Sequence, residues 1–486
     1  NLGSPTIADI NNDGYKEIIV NGREYIHVYD YNGYLVKNIS LSFVSNPTTE
    51  TVIYDLNNDG KMEIIRKYSY NGEYTAVLDS DGNILTGWPK LTYDVYDENH
   101  FNAYSCSYLG FESTPAIGDI DGDGEKEIII GSIRNVFDEG LDPENPWDKW
   151  HCEGRINAFK LNGSEIKGFP VDINGKLFGS PSVGDINNDG YDEIVIGTSE
   201  SKLGSGLYVI GKNGSVLNGW PKLINDSILG SVALFDYNND EFLEISISQN
   251  NYFPYVNFIF DYQGNQLGQF IGHNRRSPSV GDINNDNQYE IIVPGINLLE
   301  AGKIDGSGVS NFPKRGESFM GESAASLNDM ENNGKINIIA STDNWDSRKN
   351  TLFVWELGEY KDIEWPMVHH DTQHTGCYDC DKKVRVQSKL VNSKDSALNG
   401  TLKLILQKKD ANSQWQDIRI ITDKQISVPA NGLLKLDIGK DNLGNQVFEG
   451  FNNLNVVADS AGNYRVYTRF ESNGKTSEDN WEFEIQ

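Results

Sequence analysis

An acidic nine-residue loop recurs along this chain in a single register. Its fullest copy is Asp119-Ile-Asp-Gly-Asp-Gly-Glu-Lys-Glu127, with carboxylates at positions 1, 3, 5 and 9 and Gly at position 6. Side chains at alternate positions of a tight loop converge on one point, and Gly124 permits the sharp turn. The carbonyl of residue 7 then falls beside them, and the last carboxylate closes the shell. An all-oxygen set of this kind suits Ca2+, whereas Mg2+ keeps more of its waters. The calcium loop flanked by two helices needs its last Glu at position 12. Here short apolar runs ending in Gly flank the loop instead, and they read as two strands of a hairpin.

The ligand positions can be followed through every copy, with residue 7 contributing its main-chain carbonyl. The first copy offers Asp9, Asn11, Asp13, Tyr15 and Glu17, and the second Asp55, Asn57, Asp59, Lys61 and Glu63. The third has Asp119, Asp121, Asp123, Glu125 and Glu127, and the fourth Asp185, Asn187, Asp189, Tyr191 and Glu193. Asp236, Asn238, Asp240, Phe242 and Glu244 form the fifth, and Asp282, Asn284, Asp286, Gln288 and Glu290 the sixth. In the fifth and sixth, Glu241 and Asn287 replace the loop Gly. The seventh is degraded, with Asp329, Glu331 and Asn333 followed by Asn337 in place of the final Glu. Asp, Asn and Gly also dominate ordinary turns, so one such loop would say little. Seven in one register predict up to seven calcium sites. By charge, loop three is expected to bind tightest and loop seven weakest. No positive side chain is arranged to neutralise the loop carboxylates, so metal binding is expected to be coupled to folding.

Spacing turns the loops into an architecture. Their first residues stand at 9, 55, 119, 185, 236, 282 and 329, in steps of 46, 64, 66, 51, 46 and 47. A period of about 46 residues is the length of a four-stranded propeller blade. The fourth repeat shows the order: Gly179-Ser-Pro-Ser-Val-Gly-Asp-Ile, then Glu193-Ile-Val-Ile-Gly, Leu207-Tyr-Val-Ile-Gly and Trp220-Pro-Lys-Leu, with an Asn213-Gly214 turn before the last. Aromatic-Pro pairs recur at Trp88-Pro89, Phe169-Pro170, Phe312-Pro313 and Trp365-Pro366, and read as packing of each fourth strand. The expected fold is all-β: a seven-bladed β-propeller over residues 1–378.

The repeat Ser-Pro-x-x-Gly-Asp-Ile-Asn-Asn-Asp-Gly-x-x-Glu-Ile-x-Ile-Gly resembles the FG-GAP/VCBS repeat of integrin-alpha-type β-propellers. The resemblance covers roughly residues 1–376 and implies seven blades with calcium in the loops of one face. It does not fix a function, since the family includes adhesion receptors, lectins and polysaccharide lyases.

Two steps are long. One insertion spans about 93–111, between the second and third repeats. The other spans about 134–153, between the second and third strands of the third repeat. In an up-and-down blade both connections leave the face opposite the metal loops. They carry Tyr96, His100, Phe101, Tyr104, Tyr108, Trp147, Trp150 and His151. Of these, His100, Tyr104, Trp147, Trp150 and His151 are the candidate ligand-binding residues, because aromatic and imidazole side chains suit recognition of sugars and proteins. The alternative is that the rings pack on one another as a small local core. Each insertion holds one cysteine, so a Cys106–Cys152 disulfide would tie them together; Cys377 and Cys380 are spaced for a short disulfide, a thiol pair or a metal site. His369, His370, Asp371 and His374 cluster at the end of the last repeat and could ligate zinc, or pack at the closure of the ring.

After Cys380 the loops cease and polar and apolar residues alternate. Seven short strands in residues 379–486 read as a β-sandwich, Ig-like or fibronectin-III-like, serving as a stalk or assembly module or, as a second choice, a carbohydrate-binding module. The chain has 71 acidic against 41 basic residues and a net charge of −30, which argues against nucleic acid and anionic membranes as partners. No apolar run approaches a membrane span, and the first residues lie inside a repeat, so any leader would have been removed. The expected function is extracellular binding or adhesion, to a glycan or a protein. The alternatives are a polysaccharide lyase or other carbohydrate-active enzyme, and a structural subunit of a sheath or filament. No catalytic set stands out, although His100 or His151 with Tyr104 or Lys149 could supply acid and base.

Overall fold

The computed structural model describes residues 5–11, 15–22, 24–40, 46–47, 49–57, 59, 61–69, 73–93, 113–137, 150–199, 205–224, 227–250, 256–272, 277–295, 298–315, 324–330, 333–341, 351–360, 363–371, 373–378, 386–391, 398–409, 415–428, 433–438, 462–472 and 475–485. Of residues 46–47, 69, 93, 134–137, 150–152, 250 and all those beyond 378, only the backbone is described. Regular structure among the described residues is entirely β, in antiparallel sheets. The chain divides into two compact units: Asn1–Asn187 with Asp192–Tyr378, and Asn188–Tyr191 with Asp379–Gln486.

The first unit contains seven sheets in chain order. The third runs Ala116–Gly118, Glu127–Phe137, Trp150–Phe159 and Val171–Ile173, each strand beside the next. The first and fourth sheets follow the same order. In the second and fifth, the first strand is joined by a further two-residue strand, Asn46–Pro47 or Ser227–Ile228, on the same neighbour. The seventh has three described strands, Ser326–Asn328, Lys335–Ser341 and Leu352–Glu359.

Second strands read as unbroken apolar runs because both of their faces are covered. Ile128, Ile129 and Ile130 are all fully buried, as are Ile194, Val195 and Ile196. Alternating residues of one strand join different cores: Ile194 and Ile196 pack with the third sheet, and Val195 packs with the fifth and sixth. A strand buried on both faces needs no polar alternation.

Hydroxyls link the sheets. The N–H of Thr114 donates to Ser180 Oγ at 2.8 Å, that of Ser180 to Ser231 Oγ at 3.1 Å, and that of Ser231 to Ser277 Oγ at 2.8 Å. Ser182 Oγ donates onward to the carbonyl of Val232 at 2.7 Å. The recurring Ser before Pro is thus an inter-sheet hydrogen-bond partner. The aromatic-Pro pairs act similarly. Trp88 Nε1 donates to the carbonyl of Leu161 in the next sheet at 2.7 Å, and Trp220 Nε1 to that of Tyr262 at 3.1 Å. The Gly before the aromatic permits this approach: at Gly87, with φ +94°, a Cβ would lie 2.1 Å from the carbonyl oxygen of Asn162.

Trp365-Pro366 departs from the expected role. Ile363–Trp365 pairs with Ser279–Gly281, the first strand of the sixth sheet, and is not a fourth strand of the seventh. From there the chain runs along the first strands of other sheets. The carbonyl of Pro366 accepts from Leu327, that of Gln373 from Ile53, that of Thr375 from Ile117, and that of Gly376 from Val183. Residues 363–378 therefore tie first strands of five sheets together.

The second insertion is partly strand: Glu127–Phe137 and Trp150–Phe159 pair out to Phe137 and Trp150, so that Cys152 lies opposite Asn135. Tyr96, His100, Phe101, Tyr104, Cys106, Tyr108, Trp147 and Cys380 lie outside the described residues. The second unit has a sheet of two strands, Val386–Val391 and Leu433–Ile438, and one of four, ordered Trp415–Val428, Leu398–Lys409, Gly462–Ser472, Lys475–Ile485.

Candidate metal centres

The seven acidic loops each close a hairpin between the first and second strands. The residue before position 1 pairs with position 9: Ala8 with Glu17, Tyr54 with Glu63, Gly118 with Glu127, Gly184 with Glu193, Phe235 with Glu244, Gly281 with Glu290 and Asn328 with Asn337. All six glutamates at position 9 are buried. One oxygen of each accepts the backbone N–H of position 2, at 3.1 Å from Ile10, 2.8 Å from Leu56, 2.9 Å from Ile120, 3.2 Å from Ile186, 2.9 Å from Tyr237 and 3.1 Å from Ile283. Asn337 repeats the contact with Met330 at 3.0 Å, so the seventh loop keeps the clamp without the charge.

The rest of each loop is held by side chains accepting from loop N–H groups. Asp236 accepts from Asp240 at 3.1 Å and from Glu241 at 2.9 Å, and Asp282 accepts from Asp286 and Asn287 at 3.1 and 2.8 Å. The residue at position 5 accepts from the N–H of position 7, as Asp123 does from Glu125 at 2.9 Å. Position 6 is left-handed even where Gly is lost, with φ 70° at Glu241 and 63° at Asn287. Position 4 is left-handed too: Gly122, Asn188, Asn239 and Asn285 have φ between 53° and 83°. The uniform Asn or Gly at position 4 carried that signal in the sequence, beside the better-known Gly at 6.

The donor set fits a hard cation. One carboxylate oxygen each from Asp119, Asp121 and Glu127 lie within 4.8 Å of one another, and ligands on opposite sides of a calcium ion lie about 5 Å apart. Glu127 Oε1 and Asn187 Oδ1 are buried without a hydrogen-bond partner. Burial, reinforced by neighbouring carboxylates, drives the position-9 acids upward: Glu63 to about 7, Glu127 to about 8, Glu244 to about 8 and Glu290 to about 7. Asp121 adds to the effect at Glu127, Asp240 and Asp236 at Glu244, and Asp286 at Glu290. An ion coordinated there would supply the missing positive charge and keep these acids ionised. In each loop it would be held by the side chains at positions 1, 3, 5 and 9. Asp13 and Glu331 lie outside the described residues.

Two loops already contain a positive charge, contrary to expectation. Lys160 Nζ lies 3.0 Å from Asp121 Oδ2, contacts Asp123, and stands 3.7 Å from Glu127 Oε1. Lys303 Nζ lies 2.5 Å from Asp286 Oδ2 and 3.5 Å from Glu290 Oε1. Each lysine opens a turn in its sheet well after the loop, so a count of loop residues omits it.

The histidine cluster is arranged as packing, not as a zinc set. His369 Nε2 faces Ser180 Oγ at 3.5 Å, His374 Nε2 faces the carbonyl of Pro5 at 3.2 Å, and His370 Nδ1 lies 3.6 Å from Asp371. Among the described residues, only Asp119, Asp121 and Glu127 bring metal-ligating atoms together. Within the same residues no helix is long and apolar enough to cross a membrane.

Residues 9–65 match the FG-GAP-like repeat family, and residues 178–216 match the FG-GAP repeat. No curated protein matches the chain. Similar solved structures include the V. cholerae biofilm matrix protein Bap1, at 14% identity over 75% of this chain and 90% of that one, with a TM-score of 0.40. BBS1N in complex with ARL6DN is 11% identical over 74% and 93% of the two chains, with a TM-score of 0.41. The polysaccharide lyase Uly1 is 10% identical over 73% and 90%, with a TM-score of 0.37. Likenesses at these scores carry no argument about activity. Two of the repeats of this chain, at residues 9–65 and 178–216, are thus matched as FG-GAP-type repeats.

Proposed function

We propose that the protein is an extracellular, calcium-stabilised binding or adhesion protein. The observation that carries this is the buried position-9 glutamate, clamped identically to the N–H of position 2 in six loops and left facing an acidic cluster. A turn that only connects two strands needs the clamp but not the buried charge, since Asn337 makes the same contact without it. In this reading the seven sheets are blades of a β-propeller, residues 379–486 form a β-sandwich, and calcium is the structural ion. The seven sheets in one strand order, and residues 363–378 running along the first strands of several of them, support a closed ring. FG-GAP repeats are typical of extracellular proteins, which supports secretion.

The ligand would be a glycan or a protein, taken up by the insertions at 93–111 and 134–153. Their connections follow a fourth strand and a second strand respectively, whereas the metal loops follow first strands. In an up-and-down sheet this puts the insertions at the opposite end. His100, Tyr104, Trp147, Trp150 and His151 would make the contacts, with a Cys106–Cys152 disulfide holding the loops before binding and so lowering the ordering cost. The experiment is glycan-array and cell-surface binding of the wild type, Trp147→Ala and Trp150→Ala, alongside their melting temperatures. Loss of ligand at an unchanged melting temperature supports the reading; normal binding by both variants rejects it.

A further inference from the structure

In six of the seven sheets the third strand ends in the same turn. The residue after the strand accepts from a glycine three residues on and donates to a carbonyl four residues on, as Asp79 does with Gly82 and Asn83, and Lys160 with Gly163 and Ser164. The residue opening this turn is Asp30, Asp79, Lys160, Gly211, Asp261 or Lys303, in chain order. The turn sits beside the metal loop of its own sheet. Lys160 and Lys303 reach into loops three and six, to Asp121 and Asp123 and to Asp286 and Glu290. Asp79 and Asp261 fold back on their own turns, each accepting from the N–H four residues on at 2.8 and 2.7 Å. Their negative charge still acts on Glu63 and Glu244.

One backbone position therefore carries opposite charge beside otherwise equivalent loops. At the side-chain ligand positions 1, 3, 5 and 9, adding Asp79 to Asp55, Asp59 and Glu63 puts four carboxylates around loop two, and adding Asp261 to Asp236, Asp240 and Glu244 puts four around loop five. At the same positions Lys160 offsets one of the four carboxylates of loop three, and Lys303 one of the three of loop six. More decisive than the total is the place of the ammonium. Lys160 Nζ lies 3.0 Å from Asp121 Oδ2 and 3.7 Å from Glu127 Oε1, two of the three carboxylates whose oxygens converge, so a divalent ion held by them must displace it or suffer its repulsion at close range.

We propose that the residue opening this turn determines which loops depend on a free calcium ion: Lys160 and Lys303 are tethered cations that replace the ion in loops three and six, whereas Asp79 and Asp261 leave loops two and five dependent on it. Both lysine side chains are partly exposed, 28% and 16%, so a high calcium concentration can displace them. The expected consequence is two classes of site, with loops three and six at least about tenfold weaker than two and five.

This rests on the loops being calcium sites, and the test separates the two claims. The whole protein is dialysed against chelator-buffered calcium at a series of free concentrations, and bound calcium is counted by elemental analysis. Lys160→Gln with Lys303→Gln should gain two ions per chain at free calcium that fills only the tighter class in the wild type. Asp261→Lys should lose one, and serves as the reciprocal test if the double variant does not fold. In chelator the lysine variants should melt lower than the wild type, and in saturating calcium the difference should shrink. A wild type that binds calcium while both kinds of variant keep its ion count overturns this proposal alone. A wild type that binds none at any concentration overturns the calcium reading with it.

Discussion

The ammonium of Lys67 and the carboxylate of Glu73 form an ion pair in which the two side chains are 0% and 2% exposed. Lys67 also donates to the carbonyls of Ser113 and Gly131 in the third sheet, while its neighbour Arg66 reaches the opposite way, to the carbonyl of Gly22 in the first, at 2.7 Å. Adjacent residues on one strand point to opposite faces. The strand Glu63–Ser69 therefore anchors the second sheet to both of its neighbours through charged side chains.

Removing one partner should cost more than removing both. Glu73→Ala leaves a buried ammonium without its counter-charge and is expected to destabilise by about 3–5 kcal/mol. Lys67→Met with Glu73→Leu should recover much of that loss. Chemical denaturation of the single and double variants in calcium checks this, and a double variant less stable than Glu73→Ala would contradict it.

Ser231 is both acceptor and donor in the chain of inter-sheet hydrogen bonds, accepting from Ser180 through Oγ and donating its N–H to Ser277 Oγ. Ser231→Ala strands the buried N–H of Ser180, which should cost about 1–3 kcal/mol. Thermal unfolding measures it, and ligand binding should be unaffected.

The position-9 acids make metal-free stability depend on pH. Glu63, Glu127, Glu244 and Glu290 are held at about 7 to 8 by burial first and neighbouring carboxylates second, against 4.5 when exposed. Between those values the folded state keeps protons that the unfolded state has released, so the unfolded state gains with rising pH. In chelator the melting temperature should therefore fall from about pH 5 to pH 8. In calcium the sites are ionised and the stabilisation should grow with pH, because binding releases protons. A metal-free midpoint that rises over this interval would count against the buried acids.

Glu244→Gln isolates one site. The amide oxygen can still accept from Tyr237, while the buried charge is gone. Metal-free stability should hold or rise, one calcium ion should be lost, and the calcium-induced shift should shrink. An unchanged ion count would remove Glu244 from the ligand set.

The loops were legible because each is local: nine consecutive residues specify both the ligand alternation and the hairpin that carries it. The apolar second strands were legible for the same reason. Lys160 was not, because it meets Asp121 only when strands two and three pair, across a separation in sequence that varies between repeats. Trp365-Pro366 looks like its four counterparts locally, yet pairs with the first strand of the sixth sheet, a choice made by tertiary contacts. The left-handed Asn at position 4 could have been read, since its residue type recurs as regularly as the Gly two residues later.

The most direct test of the account is thermal unfolding of the whole protein in calcium and in chelator, with metal content verified in both. A structural ion bound at several sites should raise the midpoint by more than about 10 °C. An unchanged midpoint, with calcium present in one sample and absent from the other, would contradict the assignment of these loops as metal centres.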